Sequence, residues 1–138
     1  MTKTGEAVAQ AARALVGVRF RPQGRDPLYG LDCVGLAAAA LKGAGCGLNV
    51  PHDYPGRGGD PLKIVQQIDG VGLMRIDPAA VGEGDVLLME AGPAQYHLAV
   101  RTRRGFIHAD AGLRRVVETP GNPGWPVIGA WRAGEGQG

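Results

Sequence analysis

Residues 32–42 have the sequence Asp-Cys-Val-Gly-Leu-Ala-Ala-Ala-Ala-Leu-Lys, and this segment is the most informative one for predicting the architecture. The run of alanines between two leucines has a high intrinsic helix propensity. Asp32 is a residue type that caps helix N-termini, and Gly43 and Gly45 follow the run as helix-ending residues. The segment therefore predicts a helix over residues 32–42, with Cys33 in its first turn.

Two further helices are predicted on either side of this one. Residues 4–16 place apolar side chains on one stripe, and Pro61 suits the first position of a short helix that ends near Asp69. The intervening segments 18–31 and 49–60 are rich in glycine and proline, which predicts irregular loops.

After residue 71 the sequence changes to short β-branched and aromatic runs separated by turn residues, a pattern typical of strands. The predicted strands are residues 72–76, 85–89, 96–101, 106–109, 115–118 and 127–132. Helices followed by strands predict an α+β domain, in which N-terminal helices pack on a C-terminal antiparallel β-sheet.

The length of 138 residues leaves room for one domain. We expect that domain to span residues 1–133 and to be followed by a disordered tail over residues 134–138. The net charge of +2, with arginines only in small groups, does not indicate a nucleic-acid partner. We expect no membrane span, because no segment approaches the roughly 18 continuous apolar residues that one needs. The N-terminus lacks the pattern of a signal peptide, so we expect synthesis in the cytoplasm.

Cys33 is the first candidate for chemistry. The free N–H groups and dipole at a helix N-terminus lower the pKa of a thiol, and the resulting thiolate is a nucleophile. The alternative is that Cys33 is a small apolar residue at the start of a buried helix. Cys46 lies between two glycines after the predicted helix and is interpreted as structural.

His97 and His108 are the second and third candidates. A two-residue turn between Thr102 and Gly105 would place each odd-numbered residue of the first strand opposite an even-numbered residue of the second. Residues that lie directly opposite each other point to the same face, and side chains alternate along each strand. His97 and His108 would therefore share one face of the sheet. His97 would then accept the thiol proton of Cys33, and His108 would hold the imidazole of His97 in the required tautomer.

Other interpretations of these residues stay open at this point. Each histidine could be an ordinary sheet residue, and a three-residue turn would separate them onto opposite faces. One cysteine and two histidines could also supply three zinc ligands, although no pair has a tight zinc spacing. His52 is interpreted as a surface residue. Arg19, Arg21 and Arg25 could contact acidic groups of a substrate, but a solvated loop is the favoured interpretation.

The order of the motifs resembles that of the NlpC-type (NlpC and p-sixty) cell-wall cysteine peptidases. Residues 32–36 are similar to their Asp-Cys-Ser-Gly-Leu motif, and residues 82–88 to their Gly-Asp strand entry. Residues 96–100 resemble their His-Val-Gly-Ile strand, residues 106–109 their Phe-Ile-His-Ala strand, and residues 129–132 their last strand. The resemblance spans nearly the whole chain.

This resemblance implies a papain-like fold and a triad of Cys33, His97 and His108. We expect no cofactor and no metal. The family's usual reaction cleaves the bond between D-γ-glutamate and the diamino acid of peptidoglycan stems. The resemblance also implies that the Cys33 N–H contributes to an oxyanion hole. Asp32, Phe20 and Val34 are the implied substrate-binding residues, Asp32 through a free substrate amine. Phe20 and Val34 replace a family tyrosine and serine, so two hydroxyls are missing.

The bare catalytic domain and its Cys-Val-Gly-Leu core resemble the small peptidases of phage tails and gene transfer agents. This implies a tail-tip or baseplate hub protein as partner, and action in the periplasm or cell wall of a host. Two alternatives remain: a structural tail-tip or baseplate plug that kept the fold, and an amidase or acyl transferase with the same triad.

Overall fold

A computed structural model of the chain describes residues 3–46, 61–93 and 95–134. These described residues include three α-helices: α1 (Lys3–Arg13), α2 (Cys33–Gly43) and α3 (Pro61–Asp69). All three were predicted from the sequence. Helix α1 ends three residues earlier than expected, because residues 14–17 form a turn that closes on Gly17 with φ 96°. The predicted loop over residues 49–60, with His52, and residues 135–138 of the predicted tail lie outside the described residues.

The six predicted strands are all present and form one antiparallel sheet. Two short strands, β1 (Arg25–Asp26) and β2 (Gly30–Leu31), precede them in the chain and are described below. The six strands are β3 (Met74–Ile76), β4 (Val86–Gly92), β5 (Gln95–Arg101), β6 (Gly105–Asp110), β7 (Arg115–Pro120) and β8 (Val127–Arg132). Their spatial order is β3-β8-β4-β5-β6-β7. A short 3-10 helix, Pro78–Ala80, precedes β4. Strands β4, β5, β6 and β7 are therefore neighbours both in sequence and in space, which places residues from successive strands side by side.

The prediction of an irregular loop over residues 18–31 is wrong in part. The segment contains a two-stranded antiparallel ribbon, β1 (Arg25–Asp26) and β2 (Gly30–Leu31), and the backbone of Leu31 also bonds to Arg19 and Arg21. Two-residue strands rich in charged residues and glycine give no alternating apolar pattern, so the sequence could not indicate them. The ribbon leads directly into α2.

The two faces of the sheet bury different sets of side chains. One face packs on the helices, and its core includes Leu88, Leu98 and Ile107 of the sheet with Val8 and Leu36 of the helices. The opposite face carries a smaller apolar cluster. Its buried members are Leu87, Met89, Ala99, Phe106 and Ala130. The α+β class, with N-terminal helices packed on a C-terminal antiparallel sheet, is confirmed. Among the described residues, no helix combines the length and apolar character needed to cross a bilayer.

Candidate active site

The N-terminus of α2 is fixed by the side chain of Asp32. Its Oδ1 accepts the N–H of Gly35 at 2.8 Å as a helix cap and the Nη1 of Arg25 at 2.7 Å. Its Oδ2 accepts the N–H of Gln23 at 2.9 Å. A carboxylate has about four acceptor positions, so three are used within the protein and contact with a substrate amine stays a prediction. These bonds position the first turn of α2, which carries Cys33.

The thiol of Cys33 is buried against the sheet, and the backbone N–H groups of Leu98 and Val34 point at it. Burial raises the pKa of Cys33 to about 11, and the nearby Asp32 carboxylate adds to the rise. The two N–H groups and the Arg25 guanidinium act in the opposite direction and do not compensate. The prediction of a lowered pKa is therefore wrong, because desolvation of the anion outweighs the helix N-terminus. The resting group is a neutral thiol.

The two imidazoles are in contact, as the hairpin register predicted. The β5–β6 ladder pairs Ala99 with His108, and Thr102 and Gly105 close a two-residue turn with a backbone bond of 2.9 Å. The imidazoles therefore lie on the same face as diagonal neighbours. His97 Nε2 and His108 Nδ1 are 3.1 Å apart, with the ring planes at 83°. This is the arrangement expected of a base and its orienting residue.

The thiol lies at the place where β5 and β6 cease to pair. Their paired residues run from Arg101 to Ala99, so Leu98 and His97 lie beyond the end of the ladder. The Leu98 N–H that points at the sulfur belongs to the peptide bond between His97 and Leu98. The sulfur of Cys33 is thus adjacent to the backbone of the residue predicted to act as its base.

Both imidazoles are neutral at neutral pH. Burial lowers the pKa of His97 to about 4, and the neighbouring His108 contributes in the same direction. The carboxylates of Asp110 and Asp32 oppose this shift without cancelling it. Burial also lowers the pKa of His108, again against Asp110. A neutral imidazole has a lone pair, so this pair can accept a proton from a nearby thiol.

Trp125 contacts both imidazoles, and sequence reasoning missed it. Its ring centroid is 5.8 Å from that of His97 and 6.1 Å from that of His108, both in edge-to-face geometry. Trp125 is 37% exposed, so it is a ring neighbour of both imidazoles that also remains accessible to solvent. Its position in the Gly/Pro-rich segment before β8 gave no periodic signal.

Thr119 is the second residue that sequence reasoning missed. Its Oγ1 lies 3.2 Å from His108 Nε2. Strand β7 pairs Phe106 with Thr119 and His108 with Val117, so Thr119 is the diagonal neighbour of His108 on the next strand. The hairpin argument that joins His97 to His108 also applies to β6 and β7, and it could have found this residue.

The remaining predicted residues, Phe20, Val34 and Cys46, differ in burial and in their surroundings. Phe20 is half-buried and forms an isolated bridge with Leu31. Val34 is buried in the helix-side core, where it lines a crevice of about 40 Å³ together with Leu98. Substrate contacts of both stay predictions. Cys46 is a buried free cysteine, and burial raises its pKa.

The three arginines before α2 do not behave alike. Arg19 and Arg21 are exposed, as a solvated loop requires, whereas Arg25 is partly buried and paired with Asp32. The prediction is wrong for Arg25, because the β1–β2 ribbon folds it back onto the helix start. In the described part of the chain, no three His, Cys, Asp or Glu side chains are grouped so as to hold a metal ion.

Comparison with solved structures identifies the fold. An NlpC/P60 family protein from Bacillus cereus superposes with a TM-score of 0.68 over 96% of this chain, at 22% identity. The P60 domain of an antigen from M. avium subspecies paratuberculosis gives 0.66 at 19% identity, with 94% of both chains covered. The NlpC/p60 domain of the peptidoglycan hydrolase SagA gives 0.59 at 24% identity, over 84% of this chain and 88% of that domain.

These similarities establish the papain-like fold of NlpC/P60 domains. The chain spans about half the length of some of the proteins to which it is similar, 41% of the Bacillus cereus protein and 48% of NlpC2 from Trichomonas vaginalis. No protein-family model matches the chain, and no curated protein matches it.

Proposed function

We propose that this chain is a cysteine peptidase domain that hydrolyses an amide bond in peptidoglycan stem peptides. Cys33 is the nucleophile, His97 the general base and His108 the residue that orients His97. The observation that carries the proposal is the 3.1 Å contact between the two imidazoles, beside the peptide bond whose N–H points at the thiol. The protein of the same fold that is called a peptidoglycan hydrolase supports the substrate class.

The reaction begins from neutral groups, because the pKa of Cys33 is about 11 and that of His97 about 4. The thiol proton therefore moves to His97 Nδ1 as the sulfur attacks the scissile carbonyl carbon, and no thiolate accumulates beforehand. The backbone N–H of Cys33, in the first turn of α2 where N–H groups lack intrahelical acceptors, donates to the developing oxyanion. His97 then returns the proton to the leaving amine, and a thioester to Cys33 remains.

Water completes the cycle by attacking the thioester. The neutral His97 takes a proton from that water, the carbon–sulfur bond breaks, and the sulfur recovers the proton as a thiol. Trp125 contacts both imidazoles with nearly perpendicular ring planes, and burial lowers the pKa of each imidazole. This environment keeps the imidazoles neutral and available as bases, which is the protonation state that both halves of the cycle require.

The scissile bond that we propose is the one between D-γ-glutamate and the diamino acid, by resemblance of residues 32–36 and 96–100 to the family motifs. We also propose that a phage-like tail or gene transfer agent carries the domain to the host wall, on a tail-tip or baseplate hub protein. The Cys-Val-Gly-Leu core supports this assignment. A structural plug with the same fold, and an amidase or acyl transferase, are the competing functions.

Digestion of purified sacculi tests the proposal. The wild-type domain is expected to release soluble fragments whose masses correspond to cleavage after γ-glutamate. Cys33→Ala should reduce release by at least about 10³-fold, because the nucleophile is lost. Cys46→Ala is the matched control and should retain activity, since Cys46 belongs to the helix-side core and follows the end of α2, whereas Cys33 begins it.

Each competing function gives a different result in the same digest. Fragments cut at another amide would assign an amidase activity to the triad. Absence of fragments from wild-type protein would favour the structural plug. Unchanged release by Cys33→Ala would remove Cys33 from the mechanism.

A further inference from the structure

A hydroxyl group lies at the outer end of the imidazole pair. Thr119 Oγ1 is 3.2 Å from His108 Nε2, and His108 Nδ1 is 3.1 Å from His97 Nε2. The three side chains come from β7, β6 and β5, three adjacent strands of the sheet. They therefore form a single hydrogen-bonded row that ends at the residue beside the thiol.

The row can hold its protons in two ways, because a neutral imidazole has one N–H and one lone pair. In the first, His108 Nε2–H donates to Thr119, His97 Nε2–H donates to His108, and His97 Nδ1 has the lone pair. In the second, every bond is reversed, and His97 Nδ1 carries the proton. Only the first arrangement leaves a lone pair on His97 Nδ1, the ring nitrogen that does not bond to His108 and that the proposed mechanism uses as the base.

Proton transfer makes the difference between the two arrangements larger. Once His97 has taken the thiol proton, both of its nitrogens carry hydrogen. Its Nε2–H then needs an acceptor, which His108 Nδ1 provides only if the His108 proton is on Nε2. In the reversed arrangement two N–H groups would face each other at 3.1 Å. The protonated intermediate is thus compatible with one tautomer of His108 alone.

We infer that Thr119 is a positioning residue whose hydroxyl accepts from His108 and thereby sets the tautomers of both histidines. This inference rests on the proposed function, since it concerns the same thiol and imidazoles. Thr119 acts through His108 and touches no reacting atom. A hydroxyl can donate or accept, and Thr119 is only half-buried, so its own proton can turn toward solvent while its oxygen accepts.

The neighbours of this row hold the rings in place for such a bond. The ring centroid of Phe106 lies 5.0 Å from that of His108, and Phe106 is directly paired with Thr119. The ring plane of Trp125 is nearly perpendicular to both imidazoles, at centroid distances of 5.8 and 6.1 Å. The His108 ring therefore has two aromatic neighbours that restrict its rotation, and its tautomer is what the hydroxyl can set.

Two-bond nitrogen–proton NMR correlations of the histidine rings at pH 7 test the inference without any activity measurement. Both imidazoles are neutral there, so the spectra distinguish Nδ1–H from Nε2–H. His97→Gln and His108→Gln variants supply the assignments. We expect the wild-type protein to have the His108 proton on Nε2 and the His97 proton on Nε2. A wild-type His108 with its proton on Nδ1 would overturn the inference, and this result needs no variant to fold.

Thr119→Val removes the hydroxyl while it keeps the β-branched shape, and Thr119→Ser retains the hydroxyl. We expect Thr119→Val to shift the His108 signals toward the Nδ1–H tautomer and to lower kcat about 10- to 100-fold, with KM nearly unchanged. Thr119→Ser should restore both the tautomer and most of kcat. If Thr119→Val keeps the wild-type tautomer and kcat, Thr119 does not position the row.

Thr102→Val is the matched control. The Thr102 hydroxyl bonds to Glu118 and to the N–H of Gly105, away from the imidazoles, so its loss should leave the His108 tautomer unchanged. A tautomer change in this variant equal to that of Thr119→Val would assign the effect to general loosening of the sheet and would contradict the inference. If wild-type protein releases nothing from sacculi, the proposed function is wrong. The NMR measurement of the tautomers tests the role of Thr119 independently of that result.

Discussion

The two ends of the candidate site are built in different ways. At the nucleophile end, residues 23–35 fix the start of α2 through short-range bonds, among them the three donors to Asp32. At the imidazole end, His97, His108 and Thr119 are each eleven residues apart, and only the register of three strands brings them together. The first end therefore depends on local backbone geometry, and the second on long-range pairing.

The nucleophile end contains a close backbone approach that makes it sensitive to one added side-chain atom. A Cβ added to Gly35 would overlap the carbonyl oxygen of Gly24, and Leu31 Cδ2 would be only 3.2 Å away. Because these obstacles include backbone, we expect Gly35→Ala to lower the free energy of unfolding by about 3 kcal/mol. Urea unfolding followed by circular dichroism measures this loss.

Gly124→Ala is the control for that substitution. A Cβ at Gly124 meets no atom within 4 Å, so this variant should be within about 0.5 kcal/mol of the wild type. Equal stability of the two variants would show that the approach of α2 to Gly24 is not tight.

The sequence predicted the elements of both ends, and for separate reasons. The cap at Asp32 and the helix after it are local features, so composition and residue type were sufficient. The alignment of His97 with His108 followed from the two-residue turn, since the parity of the paired numbers determines the face. Thr119 was within reach of the same argument, because β6 and β7 are also joined as a hairpin.

What the sequence could not give depends on packing between distant segments. The pKa of Cys33 is raised because the thiol is buried against β5, and burial from another segment outweighs the local effect of the helix start. Trp125 belongs to an irregular segment, and only the assembled sheet brings its ring to the imidazoles. The β1–β2 ribbon is too short to leave a pattern.

The imidazole end should make stability depend on pH. The pKa of His97 is about 4 in the folded state against 6.5 for the ordinary side chain, so the unfolded chain binds more protons between these values. The folded state is therefore at its most stable, as far as His97 is concerned, above pH 6.5, and it loses this stability as the pH falls toward 4. For His97 alone this stabilisation amounts to at most about 3 kcal/mol. The lowered pKa of His108 acts in the same direction.

Urea unfolding of the wild type and of His97→Gln at several values between pH 7 and pH 4 measures this contribution. Subtracting the free energies of unfolding of the two proteins at each pH removes the contribution of the carboxylates, because these titrate in both proteins. The wild type should lose more stability than the variant over this range. Parallel curves would mean that the pKa of His97 is the same in the folded and the unfolded protein, which would contradict the prediction.

The smallest effect concerns the charges beside the thiol, and it separates the two members of the Arg25–Asp32 pair. Asp32 raises the pKa of Cys33 and Arg25 lowers it. Asp32→Asn should therefore lower the thiol pKa, and Arg25→Gln should raise it further. The cap bond from Gly35 can survive in Asp32→Asn, whereas Asp32→Ala should cost about 1 kcal/mol or more of stability.

The rate of iodoacetamide alkylation of Cys33 against pH reports the thiol pKa, with Cys46→Ala as background so that a single cysteine reacts. A profile that moves to lower pH in Asp32→Asn and to higher pH in Arg25→Gln fits charges acting through space. Movement of both profiles to lower pH would mean that each substitution opens the helix start to water, because added solvation stabilises a thiolate whatever charge was removed. Since opposite charges must give opposite shifts, the sign of the two changes distinguishes electrostatics from loosening at the nucleophile end.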